Sequence, residues 1–169
     1  MKVHLPPTAG DSTLHGPFVV DHGAFTFSAI GNVLITSQSG ELTVNAMEEA
    51  GALHARVLAR YPGGTCMVAH LAKMVMPNAS VRGAIQESMA RFEATTLKRA
   101  IILSEQGFVA SIVRSILGGM SVVGRSSTVE RYFSEFPEAA TFLTDALQPA
   151  TVGPPSVLHA IQATVARHH

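Results

Sequence analysis

An α/β fold, a mixed sheet with helices packed on it, is what this sequence predicts, and three observations predict it. The first part of the chain holds two strand-like runs split by Gly31-Asn32, the signature of a hairpin. After residue 43 the hydrophobic period changes from about two to between three and four. From there to residue 147, helical stretches alternate with short apolar runs of strand length. Such alternation calls for a sheet with many parallel pairs and with helices on its faces.

Taken in order, residues 24 to 30 and 32 to 38 are β-branched and aromatic runs bounded by Gly, Asn and Ser, with a further strand expected at 17 to 21. In "TVNAMEEAGALHARVLARYPGG" the residues Val44, Met47, Gly51, His54, Leu58 and Tyr61 recur at helical steps. Thr43 or Asn45 caps that helix, Glu48 and Glu49 suit its positive end, and Pro62-Gly63-Gly64 stops it. Residues 65 to 71 form a buried strand. Val81, Ile85, Met89 and Phe92 then define one apolar face of a helix that begins near Ser80. "KRAIILSEQ" is a strand with polar residues at its carboxyl end. Phe108, Ile112, Ile116, Met120 and Val123 form the stripe of a helix that continues through Gly118-Gly119, at about 1 kcal/mol per glycine. Residues 128 to 133 fit either a strand or a helix with a Ser127/Glu130 capping box; strand is preferred, followed by a helix with Pro137 in its first turn. A linker at 148 to 155 precedes a short helix at 156 to 167. The expected domain plan is a loose arm at 1–16, an α/β domain at 17–147, and a linker with a short terminal helix at 148–169.

Composition narrows the function classes. The 169 residues carry 12 basic and 12 acidic side chains, so the formal charge is zero, against the basic excess of a nucleic-acid binder. No apolar run approaches the roughly 20 residues that span a bilayer, and the first residues lack the apolar core of a secretory signal. A cytoplasmic chain is the expectation. The single cysteine, Cys66, rules out an internal disulfide and lies in the apolar run "TCMVAHL", which favours a packed, inert thiol.

Three segments resemble the STAS-like domains, the family of bacterial anti-sigma-factor antagonists, in a less characterised branch. They are "GELTVNAMEEAGALHARV", "TLKRAIILSEQGFVASIVRSILGG" and "VERYFSEFPEAATFL". The last matches that branch's closing pattern through Phe133, Ala139, Phe142 and Leu143, with Phe142 where Trp is usual. The resemblance spans about residues 24 to 147. It implies a non-enzymatic module of bacterial signalling that docks a protein partner and is regulated by phosphorylation at the start of the helix after the third strand. Ser80 holds the corresponding place. The chain departs from the family motif, with no Asp at the strand end and no Ser-Gly pair in "HLAKMVMPNASVRGAI".

The candidate docking surface therefore comprises Met74, Met76, Asn78, Ser80, Arg82, Gln106 and Gly107. Ser80 is a helix cap first and a phosphorylation candidate second; Asn78 is the alternative cap. Arg82 is near enough to pair with a phosphate there. The apolar "MVM" at 74 to 76 is unusual for a loop leaving a strand and offers an adaptable contact. The eight histidines include His22, His54 and His70 on a turn, a helix and a strand, with no ligand spacing, so no metal or other cofactor is expected. No Gly-x-Ser-x-Gly occurs. Ser104 and Glu105 lie at a strand end, where open α/β sheets bind ligands, and are assigned to turn and cap duty ahead of catalysis. A small apolar ligand or lipid held between sheet and helices is the alternative function, and an enzyme with an unrecognised site is the third. A homodimer through the helix at 107 to 123 is a further expectation.

Overall fold

Among the described residues, six strands form a single sheet in the order of the chain. The computed structural model describes residues 18–73, 75, 77–104 and 128–168. Strands β1 (Phe18–Asp21), β2 (Phe25–Ile30) and β3 (Val33–Gln38) make an antiparallel meander. Strands β4 (Thr65–Leu71), β5 (Thr96–Leu103) and β6 (Val129–Phe133) then add in parallel, one beyond another. The sheet is mixed and the fold is α/β, as the alternation of periods requires. Residues 128 to 133, ambiguous in sequence, are strand: Ala100 stands opposite Arg131, and Ile102 opposite Phe133. Strand β5 (Thr96–Leu103) begins two residues before the expected strand, which started at Lys98, and ends before its polar residues.

Period-two alternation sends the two halves of each strand to two different cores. Val33, Ile35, Cys66, Val68, Ala100 and Ile102 point to one face. There, helices α3 (Phe136–Phe142) and α4 (Pro154–Val165) cover them with Ala139, Ala140, Leu143, Val157 and Ile161. Phe25, Phe27, Ala29 and Leu34 point to the other face, under α1 (Val44–Arg60) and the start of α2 (Ala79–Phe92). The parallel strands carry apolar residues on both faces because both faces are covered.

Local chemistry sets the helix ends. The Thr43 hydroxyl accepts from the Ala46 N–H at 3.1 Å and starts α1, and the Tyr61 N–H closes it on the Val57 carbonyl. The buried residues of α1 are Ala46, Gly51, Leu53, His54 and Val57; Gly51 and His54 belong to the expected stripe, the stripe as a whole is rotated slightly from it, and Val44 is exposed. In α2 the cap is Asn78, whose side chain accepts from the Val81 N–H at 3.0 Å. Ser80 is one residue inside the helix and exposed, which corrects the expectation of a Ser80 cap. Asn78 precedes it in extended backbone with its carboxamide already placed over the first turn.

The β2–β3 turn is anchored from a distance. Gly31 has φ +55°, and a Cβ there would collide with the Gln148 carbonyl oxygen. The fully buried Asn32 side chain donates to the carbonyls of Gly64 and Ala146 and accepts from the Gln148 N–H at 2.8 Å. One carboxamide thus joins the hairpin, the start of β4 and the segment after α3. Helix α4, expected as part of a tail, packs over β2 and β3. Thr164 accepts a buried hydrogen bond from Ser28 while donating to its own helix at Ala160.

Candidate functional site

A cavity of about 190 Å³ lies on the α1/α2 face of the sheet. Its floor is made by Phe25, Phe27, Leu34, Met67 and Ile101, side chains that strand alternation sends to this face. Its roof is made by Met47 and Ala50 of α1 and by Ile85, Met89 and Phe92 of α2. The sequence stripe Val81, Ile85, Met89 and Phe92 explains the roof. Val81 and Phe92 are buried against neighbouring elements, whereas Ile85 and Met89, only half-buried, face the space between helix and sheet.

One part of the wall is polar. Arg99, buried on β5, donates to Glu130 of the next strand at 2.9 Å and to Glu93 at 3.2 Å. Register places this pair: Arg99 stands directly opposite Glu130, on the same face. Tyr132 donates its hydroxyl to the second oxygen of Glu130. His54 of α1 shares a 2.8 Å hydrogen bond with the buried Thr65 hydroxyl and stacks on Phe92 at 3.8 Å between centroids. Burial, reinforced by the positive charges of Arg99 and Arg91, lowers the His54 pKa to about 4, so its ring is neutral at pH 7. Gln38 donates to Gly40 and Thr96 to Phe92. Each of the groups just named is bonded to another protein group, and the rest of the lining is mainly hydrocarbon, aromatic ring and thioether, with the Ser88 hydroxyl at the α2 wall.

Among the expected site residues, Asn78, Ser80 and Arg82 come together on the exposed first turn of α2. Arg82 donates there to the Pro77 carbonyl at 3.1 Å. Met74, Met76, Gln106 and Gly107 lie outside the described residues, as does the helix expected at 107 to 123. Cys66 is fully buried, and desolvation raises its pKa to about 11, the chemistry of a packed thiol. Among the described residues, no three His, Cys, Asp or Glu side chains gather to hold a metal ion, and no helix is long and apolar enough to cross a membrane.

Sequence did not single out Arg99; it named His54 only as a helix-stripe histidine without ligand spacing, and Glu130 only in an alternative capping box with Ser127. A signal for the ion pair does exist: an arginine inside the apolar run "KRAIIL" needs a buried partner, and a neighbouring parallel strand offers "VERYF". Choosing Glu130 demands the register, which sequence does not print. Comparison with known proteins finds no family model, no curated protein and no solved structure that matches this chain.

Proposed function

We propose that the chain is a binding domain for a small apolar guest held between the sheet and helices α1 and α2. One observation carries this reading: a cavity of about 190 Å³ lined mainly by apolar side chains, whose buried polar wall residues Arg99, His54 and Thr96 are already hydrogen-bonded to other protein groups. An unpartnered polar group would demand a polar ligand or water. Here the unfilled demand is for dispersion contact, which apolar matter supplies. Size sets the class. A dry cavity of roughly 150 Å³ holds one benzene ring, and drug-sized ligands need about 300 Å³ or more. The guest is therefore an aromatic ring with a short substituent, or an aliphatic group of similar volume, and not a whole phospholipid.

The test is native mass spectrometry of freshly purified protein, joined to thermal melts with indole and with naphthalene. A bound mass, or a melting temperature that rises with guest concentration, is expected. Ala69→Leu, which grows from the cavity floor into the space, abolishes the rise while preserving the fold. A clean apo mass together with melts insensitive to both compounds rejects the reading.

Docking of a signalling protein through residues 73 to 82, in the manner of STAS-like modules, is the second reading. The exposure of Ala79, Ser80 and Arg82 on one helix turn favours it. Affinity capture with wild-type and Arg82→Glu protein tests it: a partner lost on charge reversal supports docking, and equal recovery removes Arg82 from the surface.

A further inference from the structure

On the face of the sheet opposite the cavity, three polar side chains from three adjacent strands meet at the carboxyl ends of those strands. Ser37 of β3 and His70 of β4 are register partners, and Ser104 directly follows β5. His70 Nε2 lies 2.7 Å from the Ser104 hydroxyl, and His70 Nδ1 lies 3.0 Å from the Ser37 hydroxyl. His70 and Ser37 are buried, whereas Ser104 is exposed. The Phe136 ring stands edge-on to the imidazole at 5.3 Å and limits its rotation.

We propose that Ser104 is an activated nucleophile for acyl transfer from small esters, with His70 as its general base and Ser37 as the residue that positions the base. Both spacings fall within the roughly 2.6–3.2 Å that nucleophile, base and orienting group require. The two serine hydroxyls allow either tautomer of His70; general-base action uses the one in which Nδ1–H donates to the Ser37 oxygen and the Nε2 lone pair accepts from Ser104. Burial keeps water from the base, while the nucleophile faces solvent at the strand ends where α/β sheets place their ligands. The helix-capping or turn role that sequence assigns to Ser104 gives no reason for a sheet-buried imidazole to be aimed at it.

The chemistry balances without a cofactor. The Ser104 oxygen bonds to the acyl carbon as its proton passes to His70 Nε2. The bond from carbon to the leaving alkoxide then breaks, and the alkoxide takes that proton. Water repeats the sequence on the acyl-serine, giving its proton to His70; the carboxylic acid leaves, and the Ser104 oxygen recovers the proton. The site is on the face away from the cavity, so this inference stands apart from guest binding. It runs counter to the non-enzymatic expectation drawn from family resemblance.

The test is labelling of the full-length protein with a fluorophosphonate, located by peptide mass spectrometry, alongside p-nitrophenyl acetate turnover. Adduct is expected at Ser104, at least about 100-fold faster than at Ser80, an exposed serine of the same chain with no such histidine bond among the described contacts. Ser104→Ala loses both adduct and turnover, and His70→Gln slows labelling by about 100-fold or more. Ser37→Thr retains labelling while the isosteric Ser37→Val loses it at equal melting temperature, which separates positioning from packing. Labelling of Ser104 no faster than Ser80 overturns the proposal without recourse to any variant. So does an undiminished rate in a folded His70→Gln protein.

Discussion

His54 shows how a single residue converts its surroundings into a property of the fold. It sits 4% exposed between Thr65 and Phe92, near two arginines, and its pKa falls from 6.5 to about 4. A depressed histidine contributes nothing above the unfolded pKa, because neither state binds the proton there. As pH falls from about 6.5 toward 4, the unfolded chain takes up a proton that the folded chain refuses, and stability declines by about 1.4 kcal/mol per pH unit. Between pH 7 and pH 5 the wild type is expected to lose about 2 kcal/mol more than His54→Gln. Urea melts of both proteins at the two pH values measure the difference; equal losses would mean that His54 is hydrated in the folded state. The composition marks the chain as histidine-rich, but the neutral state of this one follows from burial and from charges on two other elements.

At the scale of elements, helix α2 separates two roles that a sequence motif merges. "PNAS" offers two capping residues within three positions, and local propensity ranks Asn and Ser almost equally. The backbone decides. Asn78 is extended and reaches the Val81 N–H, while Ser80 is already in the helical turn with its side chain in solvent. Asn78→Ala is therefore expected to cost about 1 kcal/mol of stability. Ser80→Ala stays within about 0.5 kcal/mol, the range of exposed positions away from special features. Equilibrium urea unfolding of the two variants is the check, and a larger loss for Ser80 would return the cap to it. An exposed Ser80 free of capping duty lies on the helix turn that the docking reading uses.

For the molecule as a whole, the two-sided sheet makes the last helix indispensable. Val33, Ile35, Cys66 and Val68 are apolar on the face that α4 and α3 cover, and Val157, Ala160 and Ile161 of α4 lie in the same cluster. A chain ending at residue 153 would bare that face of β2 and β3 and leave the buried Ser28 hydroxyl without Thr164. Each buried Val or Ile side chain contributes roughly 1.5–3 kcal/mol, so losing Val157 and Ile161 removes roughly 3–6 kcal/mol, a large part of the roughly 5–15 kcal/mol that holds a domain folded. Circular dichroism and gel filtration of the truncated protein should show an unfolded or aggregated chain. A cooperative melt near that of the full chain would show instead that α4 is an accessory.

The order and kind of the elements follow from sequence because periodicity is local: a strand alternates every two residues and a helix every three to four, whatever lies beside them. So the hairpin about Gly31-Asn32, the stripe from Val81 to Phe92 and the helix start at Pro137 are legible without a structure. The apolar lining of the cavity was legible too, as Met89 and Ile85 on a helix and Phe25 and Phe27 on a strand, but not the fact that they face one space. Asn32 read as a turn residue, and only the folded chain brings Ala146 and Gln148 to it across more than one hundred positions. The same holds for Arg99 with Glu130 and for Ser37 and His70 with Ser104. Contacts of this kind depend on strand register and layer order, which arise from the packing of the whole chain. The sequence by itself determined the α/β class and which residues are apolar; tertiary structure alone decided which polar groups meet, because a meeting belongs to two distant segments and is written in neither.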